Sequence, residues 1–242
     1  EIIMDYAVRC ILPNNRYLYY DKLRFVATAD PEVEGEQRPT YVNYYASDGS
    51  QQTLDSDSFG ARFSFEYIHR LVFLHEKELR SCTFEQSVDE ELGYPNLDES
   101  HIAFLLSGQT SRLVSVRHIG LQNGNDLGHG LYAEEDLPAG SFIGEYVGLV
   151  SSVVETTMQQ NHYNLLYPSC DGGLEINARE QGNIIRFINH SDNPNAEFRC
   201  IKVNGLLHVI CITTGDITAN VQLTVNYGGA FWCKQLVTPS AI

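Results

Sequence analysis

Apolar and polar positions follow different patterns in the two halves of the chain. Over residues 1–30, short apolar runs are separated by turns, which predicts strands. Residues 30–60 are polar and rich in tyrosine and predict a long surface loop or a poorly ordered stretch. Between residues 62 and 80, apolar side chains recur at helical spacing and predict an amphipathic helix. They are Phe65, Ile68, Leu71, Val72 and Leu79.

A second short helix is predicted near residues 98–107, and from about residue 112 the pattern changes to short strands between Gly- and Asn-rich turns. The predicted strands are 112–116, 141–150, 206–212 and 221–225. The fold class is therefore α+β and β-rich. We expect an N-terminal lobe over residues 1–111, helical around 62–107, followed by a β-rich domain.

Charge narrows the classes of partner. The chain has 242 residues, with 16 Lys+Arg against 31 Asp+Glu and a formal net charge of −15. Such a balance argues against direct nucleic-acid binding and against anionic membrane surfaces, since both need basic residues. It is compatible with a basic protein partner, although acidity also serves solubility.

The cysteine spacing excludes the usual zinc frameworks. None of the six cysteines forms a Cys-x-x-Cys pair. Buried free thiols in a reducing, intracellular compartment are the expected state. Charged residues interrupt the first 20 positions, and no run approaches the roughly 18 apolar residues of a membrane helix.

Three segments of the second half could carry chemistry. The first is Gly128-His129-Gly130, with a Leu-Pro-x-Gly turn at residues 137–140. The second runs from Gly182 to Ser191 and reads G-N-I-I-R-F-I-N-H-S. The third, residues 222–228, reads Q-L-T-V-N-Y-G. A nucleophile elbow and the H-E-x-x-H zinc motif are both absent from the sequence.

In this order, and with Glu145-Tyr146-Val147-Gly148 between the first and second, these segments resemble the SET domain of protein lysine methyltransferases. The resemblance covers residues 112–232 and leaves 233–242 as a C-terminal tail. It implies a β-clip fold with a pseudo-knot, in which the tyrosine segment lies beside the Asn-His segment. It also implies S-adenosylmethionine as methyl donor, S-adenosylhomocysteine as product, and a lysine of a basic protein, above all a histone tail, as acceptor.

The sequence looks especially similar to compact SET proteins of intracellular bacteria, which implies an intracellular protein with export into a host nucleus as one option. Two alternatives stay open. The acceptor could be a bacterial histone-like protein, or the domain could be an inactive SET fold that docks peptides.

The resemblance assigns roles residue by residue. Catalytic roles fall on Tyr227 and Tyr163. The cofactor-binding residues are Gly128, His129, Gly130, Tyr163, Arg186, Asn189, His190 and Trp232. The substrate channel is lined by Phe198, Val225 and Tyr227. For His190 a purely structural role is an equal alternative, and Phe198 and Trp232 could equally be core residues.

The chemistry explains why such residues are needed. A free lysine has a pKa of about 10.4, and methyl transfer needs the neutral amine, which an apolar channel and the sulfonium charge favour. At Phe198 a phenylalanine leaves room for more than one methyl group, which predicts di- or trimethylation.

Two features depart from the family pattern. Gln222 and Asn226 stand where the family has Glu and Asp, and the change at Asn226 removes a carboxylate beside the catalytic tyrosine. The flanking cysteine clusters of the family are missing, so no zinc is expected, and Trp232 is the candidate to cover the cofactor.

Overall fold

The computed structural model describes residues 8–13, 16–21, 24–28, 40–83, 98–153, 162–167 and 173–228. The helices in these ranges are α1 (Ser56–Arg62), α2 (Glu76–Ser81), α3 (Glu99–Leu106) and a 3-10 helix at Ile184–Phe187. The first ten strands are β1 (Val8–Leu12), β2 (Arg16–Asp21), β3 (Arg24–Thr28), β4 (Tyr41–Tyr45), β5 (Gln51–Asp55), β6 (Glu66–Tyr67), β7 (Val72–Phe73), β8 (Val114–His118), β9 (Leu121–Gln122) and β10 (Asn125–Asp126). The next ten are β11 (His129–Ala133), β12 (Phe142–Glu145), β13 (Leu149–Ser152), β14 (Asn164–Tyr167), β15 (Leu174–Asn177), β16 (Gln181–Gly182), β17 (Asn189–His190), β18 (Ala196–Val203), β19 (Leu206–Thr213) and β20 (Thr224–Val225).

Short polar side chains set several of these boundaries. The carboxylate of Asp55 accepts a hydrogen bond from the Ser58 amide at the start of α1, and Asp98 does the same for the amide of His101 in α3. Such caps satisfy amides that a helix leaves free at its N-terminus. Between β18 and β19, Asn204 and Gly205 both have positive φ, as a tight two-residue hairpin turn requires.

The largest sheet joins the two halves of the sequence. Its strand order is β14-β15-β13-β7-β1-β2-β3. The short strand β7 pairs in parallel with β1 on one side and with β13 on the other. The predicted domain boundary at residues 111 and 112 stays a prediction, but this sheet crosses it.

A four-stranded sheet, in the order β11-β8-β4-β5, also combines early and late strands, because β4 pairs in parallel with β8. A three-stranded sheet, in the order β12-β19-β18, lies in the second half. Its strands β12 and β19 hold a buried pair, in which Nδ1 of His208 lies 2.7 Å from Oε1 of Glu145.

The strands β17 and β20 form a parallel pair of two residues each. Asn189 lies opposite Thr224, and His190 lies opposite Val225. This pairing confirms that the tyrosine segment lies beside the Asn-His segment. The predicted β-rich fold class is likewise confirmed.

The predicted helix over residues 62–80 is wrong. That stretch instead contains the end of α1, the strands β6 and β7, and α2. Its apolar spacing has a different cause: β7 lies inside a sheet, so Leu71, Val72 and Phe73 are all buried in succession. The hydrogen-bond partners of β6 and β7 are distant in sequence, and periodicity carries no information about them.

Other predictions have mixed outcomes. The loop predicted over residues 30–60 is wrong for residues 41–60, where β4, β5 and most of α1 lie, and residues 29–39 are outside the described residues. The helix near 98–107 is confirmed by α3. The early strands are confirmed by β1, β2 and β3, and the strands predicted at 112–116 and 206–212 by β8 and β19. The single strand predicted over 141–150 is wrong in extent, since residues 146–148 separate β12 from β13, and only residues 224–225 of the strand predicted over 221–225 form β20.

No helix in the described part of the chain is long and apolar enough to cross a membrane. One main core contains side chains from both halves of the sequence, among them Phe59, Phe73, Leu131 and Ile185. A smaller core lies beneath α3. It consists of Leu105, Phe142, Ile201, Val203 and Ile210. The two largest sheets and the main core are thus built jointly by both halves.

The turn between β12 and β13 generates a stability prediction. A Cβ added at Gly148 would lie 2.5 Å from the carbonyl oxygen of Asn177 and 2.9 Å from Cγ2 of Ile176, and backbone cannot yield cheaply. We expect Gly148→Ala to lower the free energy of unfolding by about 1–3 kcal/mol. Gly215→Ala, where a Cβ meets nothing within 4 Å, is the control. Equal urea midpoints for the two variants would contradict this packing.

Candidate active site

The glycine loop is shaped by local hydrogen bonds. Gly128 has φ of +75°, a conformation that favours glycine. Its amide donates to Oδ1 of Asp126 at 2.8 Å, and Nε2 of His118 lies 2.9 Å from the same oxygen. The loop is therefore anchored to β8 just before β11 begins.

The His129 side chain packs among aromatic rings. Its ring centroid is 4.9 Å from that of Phe63, 5.8 Å from that of Tyr44 and 6.3 Å from that of Phe187. Burial and the neighbouring His118 lower the pKa of His129. The imidazole is therefore neutral and packs against the neighbouring rings. What His129 offers to the site is its backbone.

The backbone of His129 links the first segment to the second. Nδ2 of Asn189 donates a hydrogen bond of 3.0 Å to the His129 carbonyl. On the next residue, Nδ1 of His190 accepts a 3.2 Å hydrogen bond from the Tyr227 amide, and Nε2 lies 3.2 Å from Oδ1 of Asp192. Asn189 and His190 thus connect all three segments that the sequence singled out.

Tyr227 is fixed through its hydroxyl, which donates a 2.7 Å hydrogen bond to the Ile188 carbonyl. The ring of Tyr227 lies 5.5 Å from that of His190. Burial, together with the neighbouring Tyr163, raises the pKa of Tyr227. The hydroxyl is therefore un-ionised at neutral pH and acts as a hydrogen-bond donor.

Tyr146 is a site residue that the sequence reasoning missed. Its hydroxyl donates a 2.8 Å hydrogen bond to the Tyr163 carbonyl, and its ring makes an edge contact with Phe198 at 5.4 Å. Burial, with smaller contributions from Tyr227 and Tyr163, raises its pKa. The signal was present, since Tyr146 is the second letter of the E-Y-x-G motif. The structure thus gathers Tyr146, Tyr163, Tyr227 and Phe198.

Arg186 lies against aromatic side chains. Its guanidinium carbon is 4.0 Å from the ring centroid of Tyr163 and 4.3 Å from that of Phe65. Burial lowers its pKa, while the neighbouring Tyr163 and Tyr146 act in the opposite direction. Arg186 therefore belongs with the tyrosines of the site, whereas Asn189 contacts the glycine loop.

The third segment is held by a second missed residue, Asn195. Its Nδ2 donates to the Gln222 carbonyl at 2.9 Å, and its Oδ1 accepts from the Thr224 amide at 2.8 Å. The side chain of Asn226 accepts a 2.8 Å hydrogen bond from the Gly228 amide. An aspartate would accept the same bond, so the change from the family pattern preserves this turn.

The outcome is different for two of the predicted site residues, Val225 and Trp232. Val225 is fully buried in the main core. Trp232, the predicted cover of the cofactor, lies outside the described residues. Among the residues that are described, no group of three or more His, Cys, Asp or Glu side chains could hold a metal ion.

Comparison with known proteins identifies the domain. A family model of the SET domain matches residues 128–228. The histone-lysine N-methyltransferase trithorax of Drosophila virilis is 26% identical over 176 residues, 71% of this chain and 5% of the relative. An H3 lysine-4 specific histone-lysine N-methyltransferase of Chaetomium globosum is 35% identical over 105 residues, 40% of this chain and 10% of the relative. The chain thus spans a tenth or less of the length of these relatives.

A solved structure shares the fold. ATXR5 in complex with mono-methylated histone H3.1 aligns with a TM-score of 0.52 and 21% identity, over 71% of this chain and 85% of that chain. An identity this low concerns the fold alone. Together with the family match, it establishes that residues 128–228 form a SET domain.

The buried tyrosines predict the response of stability to alkaline pH. A tyrosine whose pKa is raised in the folded state keeps its proton when the unfolded chain loses it near pH 10, so stability falls above that pH. We expect the free energy of unfolding of Tyr227→Phe to fall with pH less steeply than that of the wild type, by about 1.4 kcal/mol per pH unit. Urea unfolding from pH 8 to 11.5 measures this, with Tyr41→Phe, an exposed site, as control. Parallel curves for the wild type and Tyr227→Phe would contradict the burial of this hydroxyl.

Proposed function

We propose that this chain transfers methyl groups from S-adenosylmethionine to a lysine side chain of a basic protein, most specifically a histone tail. The observation that carries the proposal is the tyrosine arrangement, with the hydroxyl of Tyr227 held on the Ile188 carbonyl beside Tyr163 and Tyr146. The SET domain at residues 128–228 and its similarity to histone-lysine N-methyltransferases support the same conclusion.

The glycine loop fits a methyl donor of this kind. A Cβ added at Gly128 would have no atom within 4 Å, so the backbone there is open to a ligand. Gly130 is buried, and a Cβ there would meet the Gln222 side chain. We assign this loop, with Asn189 and His190, to the adenosyl and amino-acid ends of the donor. When bound, S-adenosylmethionine supplies a methyl group on a positively charged sulfur.

The tyrosines suit a lysine acceptor. The amine must be neutral, and an apolar aromatic channel disfavours its charged form. Because the hydroxyls of Tyr146 and Tyr227 are held on backbone carbonyls and have raised pKa values, they orient the site without acting as bases near neutral pH.

The overall charge supports a cationic acceptor. A formal charge of −15 favours encounter with a Lys-rich tail and slows the approach of nucleic acid. The cysteine pattern and the resemblance predict an intracellular location, and the resemblance alone predicts export from a bacterium into a host nucleus.

The catalytic role of Tyr227 is testable. We expect Tyr227→Phe to lower methyl transfer at least about 100-fold, because one preorganised donor is lost, while affinity for S-adenosylhomocysteine stays within about threefold. The assay uses labelled S-adenosylmethionine with the four recombinant core histones and a basic bacterial histone-like protein, and the modified lysine is mapped by mass spectrometry. Tyr41→Phe is the control.

The outcomes of this assay separate the candidates. Labelling of histones supports the proposal. Labelling of the bacterial protein alone overturns the histone tail as acceptor and supports a bacterial histone-like protein in its place. Tight binding of the cofactor product without transfer to any acceptor overturns the enzyme and leaves the peptide-docking alternative.

Phe198 predicts the number of methyl groups added. Its ring contacts Tyr146, and a hydroxyl at this position would retain a water that occupies the space of a further methyl. We expect two or three methyl groups per lysine for the wild type and mainly one for Phe198→Tyr after exhaustive reaction. Intact mass of the acceptor measures this, with Phe198→Leu as the variant that adds no hydroxyl. Equal product distributions for Phe198→Tyr and the wild type would contradict the assignment.

A further inference from the structure

Arg186, which the resemblance assigns to the cofactor, is a largely buried cation that lies among aromatic rings of the site. Its guanidinium contacts the rings of Tyr163 at 4.0 Å, Phe65 at 4.3 Å and Phe187 at 5.5 Å. Its Nε is buried, with no hydrogen-bond partner in the described part of the chain. Among those residues it also forms no ion pair within 4 Å. Such a charge is held by aromatic faces and is not neutralised by a buried carboxylate.

The field of this cation reaches the site. Arg186 acts to lower the pKa of the Tyr146 hydroxyl, against the larger effect of burial. The groups facing Arg186 are the hydroxyls of Tyr163 and Tyr146 and the carboxylate of Glu180. The Glu180 side chain is 77% exposed, so water and salt screen its negative charge. The net field on the tyrosine side is therefore positive.

We propose that Arg186, from behind the Tyr163 ring, favours the neutral form of the lysine amine that enters the site. This inference rests on the proposed function. A fixed positive charge a few ångströms from an amine disfavours the ammonium form, as a like charge always does. A guanidinium suits this role because it stays charged even when burial lowers its pKa. The displaced proton leaves to solvent when the amine binds, and Arg186 itself neither loses nor gains one.

The role differs from simple support of the Tyr163 ring. Ring support needs the flat, stacked guanidinium, which lysine cannot replace. A field effect needs only a positive charge at that place, which lysine can supply. Arg186→Lys and Arg186→Met therefore separate the two roles.

The first measurement is kcat against pH with core histones and S-adenosylmethionine saturating, because kcat reports groups in the bound complex. We expect the acid limb of the kcat profile to lie about one pH unit higher for Arg186→Met than for the wild type. At pH 7 the kcat of Arg186→Met should therefore be about tenfold lower, and the difference from the wild type should shrink as the pH rises. Arg186→Lys should keep the limb within about 0.3 units of the wild type.

A second measurement does not depend on turnover. Calorimetry of a histone tail peptide binding to the protein loaded with S-adenosylhomocysteine, in buffers of different ionisation enthalpy, counts the protons released at pH 8. The product lacks the sulfonium charge, so the effect of Arg186 is seen alone. We expect the wild type to release more protons than Arg186→Met when both proteins are saturated with S-adenosylhomocysteine.

An active wild type whose acid limb and proton release are unchanged in Arg186→Met overturns this inference and leaves the proposed function intact. Similar loss in Arg186→Met and Arg186→Lys, with no shift of the limb, also overturns it in favour of ring support. A wild type that transfers no methyl group to any acceptor overturns the proposed function first. Should Arg186→Met fail to fold, Arg186→Gln, which also removes the charge, takes its place: the same upward shift of the limb is expected, and an unchanged limb contradicts the inference.

Discussion

The site depends on a contact between two strands that are only two residues long. Alone, the parallel pair of β17 and β20 has too few hydrogen bonds to persist. Side chains on both sides hold it: Asn195 bonds the backbone of residues 222 and 224, and His190 accepts the amide of Tyr227. The hydroxyl of Tyr227 then returns to the Ile188 carbonyl. Segments about 35 residues apart in sequence are thereby locked into one register.

The early strands are part of the same construction. Through β7 the strands β1 to β3 extend the sheet that contains β13, while β4 and β5 extend the sheet that carries the glycine loop. The turn between α1 and β6 supplies aromatic rings to the site, since Phe63 packs on His129 and Phe65 on Arg186. Changes in the first half of the chain therefore act on the geometry of the second.

Charge and burial give the residues of the site different roles. The tyrosine hydroxyls are buried and protonated near neutral pH, so they offer hydrogen bonds without negative charge. Arg186 brings a positive charge among aromatic rings, while the carboxylate of Glu180 is exposed. Under the proposals above, the net negative charge of the chain favours approach of a basic tail, and the charge of Arg186 favours loss of a proton from the lysine that enters the site.

The sequence by itself determined the β-rich class, most later strands and the three motifs, because these depend on local composition and on letters at fixed spacing. Periodicity failed over residues 62–80, because the apolar residues there lie in turns, in a short strand and in α2, and their burial depends on partners distant in sequence. Tyr146 and Asn195 were missed because their roles depend on partners across the fold. Only the tertiary structure decided that Arg186 lies behind Tyr163, since a stacking contact between segments more than 20 residues apart has no local signature.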